Sequence, residues 1–144
     1  MTGLLVTGHG GFASGMSSSL RMISGDQGNY QSVDFTDGMT PQELERNLRK
    51  ALEQLYQKQG IIILTDIIGG SPFQVSVKIA QEFSNFRVVG GINLPLLCDI
   101  SLERMGESSK MEQLILSAME TGKKQMGFFS SDYSLDEMTE KGGI

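Results

Sequence analysis

Ile61-Ile62-Ile63-Leu64-Thr65-Asp66-Ile67-Ile68-Gly69-Gly70-Ser71-Pro72-Phe73-Gln74 is the stretch whose reading decides the fold. Ile61 to Leu64 is apolar without alternation, the pattern of a strand covered on both faces in a parallel sheet. Asp66 to Gly70 reads as a turn, and Ser71-Pro72-Phe73-Gln74 as a capped helix start. Phe73, Val77 and Ala80 would give that helix its buried face. A strand running through a glycine turn into a helix is the first half of a βαβ unit.

Working outward, the same grammar recurs. Gly3-Leu4-Leu5-Val6-Thr7 is a second apolar strand, ending in Gly8-His9-Gly10-Gly11, with a helix from Phe12 to Ile23 that stops near Gly25. Tyr30 to Phe35 is rich in aromatic and β-branched residues but more polar, which suits a strand nearer the sheet edge. Thr40-Pro41-Gln42-Glu43 carries a capping box with Pro at the first helical position. Leu44, Leu48, Leu52 and Leu55 then form one stripe at helical spacing, ended by Gly60. Phe86 to Val89 reads as a fourth strand, followed by the loop Gly90 to Pro95. Ser109-Lys110-Met111-Glu112 opens a further helix with Met111, Leu114, Ile115, Ala118 and Met119 on one face. Gln125 to Phe129 reads as a short fifth strand.

Strands alternating with helices at this spacing predict an α/β fold: an open, mainly parallel, doubly wound sheet of four strands plus a C-terminal edge strand. One domain is expected over residues 1–130, with 131–144 a loosely held polar tail. The 144 residues, 39% apolar and 20% charged, suit a single globular core. No apolar run approaches the roughly 20 residues that cross a bilayer. No basic region precedes the first apolar stretch, so no secretory signal is read, and a cytoplasmic location is expected. The net charge of −5 argues against nucleic-acid binding and suits a basic protein partner.

Ligands of open parallel sheets bind beyond the carboxyl ends of the strands, where the strand order reverses. Three glycine-rich loops leave those ends: Gly8 to Gly11, Asp66 to Ser71, and Gly90 to Pro95. The chain's only histidine, His9, lies in the first of them. Imidazole is a nucleophile near neutral pH, and with no second histidine and only Cys98 as a thiol no metal site is read. No cofactor is expected, because neither a Gly-x-Gly-x-x-Gly fingerprint nor a P-loop is present. Asp66 can accept a hydrogen bond from one ring nitrogen of His9 and leave the other as nucleophile. Ser71, at the start of a helix, and Gly69 and Gly70, which permit close backbone approach, suit a phosphate. His9 and Asp66 are therefore the candidate catalytic pair, and Gly10, Gly69, Gly70 and Ser71 the candidate phosphate-binding residues.

Thr7-Gly8-His9-Gly10, Leu64-Thr65-Asp66 with Gly69-Gly70-Ser71-Pro72-Phe73, and Gly91-Ile92-Asn93-Leu94-Pro95 resemble, in order and spacing, the enzyme IIA component of mannose-type bacterial sugar phosphotransferase systems. The likeness extends over roughly residues 1–130. Gly11 to Met16 resembles most the branch serving N-acetylgalactosamine and related amino sugars. The resemblance implies a phosphohistidine relay in which His9 takes phosphate from the phosphocarrier HPr and gives it to enzyme IIB. Sugar is then phosphorylated on entry through membrane components IIC and IID, which set its identity. It also implies that Asp66 orients the histidine, that Ser71 contacts the phosphate, and that a homodimer exchanges its C-terminal strand, here Gln125 to Phe129. Ile67-Ile68 departs from a position that often holds an aromatic, and the chain has no Trp. Phe12, Met16, Ile67 and Ile68 are the candidate docking surface. The tail is too short for the fused IIB domain of some relatives, which implies a separate IIB chain. Two other readings keep His9: a phosphorylation-sensing regulatory module, and the related subunit serving dihydroxyacetone kinase. A hydrolase would call for an arginine clamp, and no Arg lies in the three loops.

Overall fold

The computed structural model describes residues 1–106 and 110–131. Four strands, β1 (Gly3–His9), β2 (Tyr30–Phe35), β3 (Ile61–Thr65) and β4 (Phe86–Val89), form one sheet in the order β2-β1-β3-β4. Every pairing is parallel. Five helices, α1 (Phe12–Ser24), α2 (Pro41–Glu53), α3 (Ser71–Ala80), α4 (Leu94–Glu103) and α5 (Met111–Lys124), complete the described residues.

The unbroken apolar runs of β1 and β3 are explained by two cores, one on each face. Leu4, Val6, Ile62 and Leu64 point to one side, where α1, α4 and α5 cover them with Ala13, Leu20, Leu97, Ile100, Leu114 and Ala118. Leu5, Ile61 and Ile63 point to the other, where Leu44, Leu48, Leu52, Val75 and Ile79 of α2 and α3 pack. Alternate residues of one strand thus feed opposite cores. Burying each such side chain contributes roughly 1.5–3 kcal/mol before the entropy of ordering is counted. Strand β2, at the edge, is only half-buried along its length, as its polar composition predicts.

Helix α2 begins as its sequence dictates. Thr40 Oγ1 accepts from the Glu43 amide at 3.1 Å, and Glu43 Oε2 accepts from the Thr40 amide at 2.9 Å. Such a cap contributes about 1 kcal/mol. Its end differs from expectation: the helix stops at Glu53, well before Gly60. Leu55 is still buried, packed from the connecting segment rather than from the helix.

Other boundaries also move. No strand forms over Gln125 to Phe129, so β4 is the sheet's edge, and Met126 and Phe129 are exposed at 71% and 68%. A short segment becomes a strand only by pairing with a neighbouring edge, and within the described chain this one pairs with neither β2 nor β4. Helix α4 starts inside the expected Gly90–Pro95 loop and runs on through residues for which the sequence predicts no element. Asn93 caps it, accepting from the Leu96 amide at 3.1 Å, and Pro95 sits in its first turn. The buried side of α3 is Pro72, Val75, Ser76 and Ile79, while Phe73, Val77 and Ala80 are half-buried. That helix also starts one residue earlier than a Ser71 cap requires: Gly70 holds the capping position and Ser71 is the first helical residue. Lys110 stands at the capping position of α5 without a side-chain cap, and Ser109 lies outside the described residues. So does the expected tail beyond residue 131.

Candidate functional site

With the order β2-β1-β3-β4, the chain moves outward from β1 to β2 and then crosses back over β1 to β3. The switch point therefore lies between the carboxyl ends of β1 and β3, with α1 leaving on one face and α3 on the other. Their pairing runs as far as Thr7 opposite Thr65. His9 and Asp66 both stand just past the carboxyl end of this ladder, one on each strand.

The two side chains meet there. His9 Nδ1 and Asp66 Oδ2 are 2.7 Å apart, and the same oxygen accepts from the His9 backbone amide at 2.7 Å. Asp66 Oδ1 accepts from the Ile67 amide at 2.8 Å. Three N–H groups thus converge on one carboxylate. Burial works to raise the Asp66 pKa, but these donors outweigh it and hold the carboxyl below its ordinary value. The Asp66 side chain is 10% exposed and that of His9 45%, so the carboxylate lies beneath a histidine that solvent reaches. An ionised Asp66 fixes the proton on Nδ1 and leaves Nε2 with its lone pair.

Helix α3 closes the site from the other side. A Cβ on Gly70 would fall 2.7 Å from His9 Cε1 and 3.4 Å from Nε2. The backbone of Gly70, at φ −73°, is ordinary, so the absence of a side chain there answers to the histidine and not to the turn. Gly69, at φ +89°, does serve the turn. No side chain caps α3. Its first N–H groups have no partner within the helix, and the positive end of its dipole lies beside the imidazole. Ser71 starts this helix, next to the residue that abuts Nε2.

Two of the anticipated components have partners of their own. The Gly10 amide donates to the Phe35 carbonyl at 2.8 Å, so it is spent on the turn, where Gly10 has φ +58°. The Gly90–Pro95 loop reaches the same end of the sheet and is tied to the last residue of β3, through the Ile92 amide on the Thr65 carbonyl at 3.2 Å. Ile67 and Ile68 are 61% and 68% exposed on the rim, whereas Phe12 and Met16 are half-buried against the α1 side of the core.

The carboxyl end of β2 contributes residues that the sequence reading did not single out. Asp34 Oδ1 accepts from the Ser14 amide at 2.9 Å and so serves the start of α1, whose own capping position, Gly11, offers no side chain. The Phe35 ring lies 5.7 Å from the His9 ring at 68°. The signal was available: a parallel edge strand ends at the same side of the sheet as its neighbour, so Asp34 and Phe35 had to arrive beside His9.

A parallel open sheet with one carboxylate-held imidazole at its switch point defines a class, an α/β protein with a single half-exposed histidine held by an aspartate at the carboxyl end of its strands. Residues 3–119 match the family EIIA-man, described as the PTS system fructose IIA component. The mannose-specific EIIAB component of the PTS system of Escherichia coli (strain K12) is 30% identical over 125 residues, 86% of this chain and 38% of that protein. The fructose-specific EIIA component of Bacillus subtilis (strain 168) is 29% identical over 100 residues, 69% of this chain and 68% of that one. Among solved structures, the phosphotransferase system component EIIA from Streptococcus agalactiae superposes with TM-score 0.81 at 27% identity, covering 91% of this chain and 99% of that chain. The chain belongs to the mannose/fructose/sorbose family of IIA components of the sugar phosphotransferase system. It spans little more than a third of the Escherichia coli relative, which the 38% coverage makes plain. No described helix is long and apolar enough to cross a membrane.

Proposed function

We propose that this protein is a phosphoryl carrier: His9 takes a phosphoryl group from HPr and passes it to an enzyme IIB, which serves the membrane components IIC and IID. The observation that carries the reading is the 2.7 Å bond between His9 Nδ1 and Asp66 on a half-exposed ring. With Nδ1 protonated and held, Nε2 attacks the phosphorus of the donor's phosphohistidine. The new Nε2–P bond forms as the donor's N–P bond breaks, and the donor imidazole leaves with the electron pair. The positive character gained by the His9 ring is balanced by Asp66 below it. The phosphoryl oxygens face the start of α3, where the backbone after Gly69 and Gly70, together with the Ser71 hydroxyl, supplies donors and the helix dipole. Reversal of the same step onto the histidine of IIB completes the relay.

A relay must release what it accepts, which separates it from a sensor. Protein charged by HPr is expected to lose its acid-labile phosphate to IIB upon mixing. Label that stays on this protein in the presence of several candidate IIB chains would favour the sensing module instead. The exposed pair Ile67 and Ile68, beside His9, suits the transient apolar docking that such exchanges need, with Phe12 and Met16 supporting it from α1.

The assembly we propose is a homodimer in which Gln125 to Phe129 of one protomer joins the edge of a partner's β4. The open edge of β4 and the exposed Met126 and Phe129 support this. Light scattering at micromolar concentration should give twice the monomer mass, and a clean monomer would refute it.

A further inference from the structure

We infer that Phe35 is a positioning residue for His9, the second wall of a slot that holds the imidazole with Nε2 against the start of α3. The hydrogen bond to Asp66 anchors the ring at Nδ1 only. One such bond is a hinge about which a half-exposed ring still turns. Two surfaces flank it. On one side is Gly70, whose Cα approaches so closely that a Cβ would lie 2.7 Å from His9 Cε1. On the other is the Phe35 ring, 5.7 Å away centre to centre and steeply inclined at 68°. That is the edge-to-face arrangement aromatic rings prefer.

Phe35 is itself held in three ways, which makes it a wall and not another mobile side chain. It is the last residue of β2 and stands opposite His9 in the parallel register. Its carbonyl accepts from the Gly10 amide at 2.8 Å, so its backbone is pinned to the residue after the histidine. Its side chain packs against the core beneath α2 and α3, beside Val33 and Met39. The neighbouring Asp34 carboxylate holds the amide of Ser14, which fixes the far end of the turn that presents His9. The end of β2 thus grips this turn along its length, although its composition marks it only as a polar edge strand.

This inference rests on His9 being the phosphoryl acceptor, and its test has one arm that does not. Phe35→Leu keeps an apolar side chain of similar size under α2 and removes the flat ring. The maximal rate of labelling by charged HPr is expected to fall about tenfold, with the HPr concentration at half-maximal rate unchanged. A raised half-saturation with an unchanged maximal rate would make Phe35 a docking contact and overturn the proposal, as would wild-type values for both. In ¹³C relaxation of the unphosphorylated protein, the His9 ring of the wild type should be as rigid as the backbone that carries it. Phe35→Leu should lower the order parameter of the ring, and Phe35→Tyr should restore it. An unaltered ring order parameter in Phe35→Leu overturns the proposal whether or not HPr labels the protein. Failure of HPr to label the wild type would count against the relay alone. Melting temperature is compared throughout, and if Phe35→Leu fails to fold, Phe35→Met takes its place under the same criteria.

Discussion

Asp66→Asn slows phosphoryl transfer from HPr by on the order of 10²–10⁴-fold and leaves the protein folded; this is the outcome the site geometry predicts. The carboxylate receives N–H groups at both oxygens, two from His9 at Oδ2 and one from Ile67 at Oδ1. An amide has one acceptor and one donor, so it cannot serve both sides. With its NH₂ toward Ile67 it meets an N–H head on and drives the loop away. With its NH₂ toward His9 it favours the ring tautomer protonated at Nε2, which has no lone pair to attack with. Either orientation also removes the negative charge beneath the imidazole. Rates read by stopped-flow or quenched labelling check this, and transfer within a factor of two of wild type would remove Asp66 from the mechanism.

The same substitution has a signature in stability. The folded-state pKa of Asp66 lies below its ordinary value of 3.8. A carboxyl depressed on folding stabilises the protein above its unfolded pKa, and that contribution is lost as the pH falls through the folded pKa. The wild type therefore loses, in acid, an increment of stability that Asp66→Asn never has, and the difference between their unfolding curves should shrink as the pH drops below that of an unfolded aspartate.

Gly70→Ala is the second large effect, and it falls on activity and not on folding. The backbone at φ −73° accepts any residue, so no strain arises from the turn. The methyl group would stand 2.7 Å from His9 Cε1, closer than carbon atoms approach, and 3.4 Å from Nε2. The ring must yield, because its exposed side is free while α3 is anchored through Val75 and Ile79 in the core. A displacement of about 1 Å at a reacting atom costs on the order of 10²-fold in rate. Labelling should fall by that order with the melting temperature within a few degrees of wild type. Wild-type labelling would show that the slot beside α3 does not set the reactive geometry. Gly69→Ala makes the contrast: its Cβ meets nothing, yet φ +89° is unfavourable for alanine, so its cost appears in stability.

How much of this was legible beforehand follows from which features are local. The runs Leu4 to Val6 and Ile61 to Leu64 need only burial on both faces to be strands, and nothing in the tertiary structure contradicts that. Thr40 and Glu43 close a capping box within one turn, so it forms as read. The parallel order of β1 and β3 follows from their βα turns and brings His9 to Asp66. What failed depended on distant partners or on competing uses of a residue. Gln125 to Phe129 joins no edge within the described chain, and a segment this short is a strand only when it is paired. Gly70, where the histidine leaves no room for a side chain, holds the capping position, and Ser71 is the first helical residue. Helix α4 starts on a local signal, Asn93 as cap and Pro95 in the first turn, but that signal lies inside the glycine-led loop Gly90 to Pro95. Phe35 needs the strand order as well as the strand: its place beside His9 follows only once β2 is set parallel to β1.

The central claim is that a single imidazole carries the phosphoryl group, and labelling of the wild type and of His9→Ala with HPr charged from phosphoenolpyruvate tests it most directly. The wild type is expected to take up acid-labile, base-stable phosphate to about one group per chain, located on Nε2 of His9 by NMR, and His9→Ala to take up none. Stable labelling of His9→Ala, or a folded wild type that takes no label from HPr, would contradict the account.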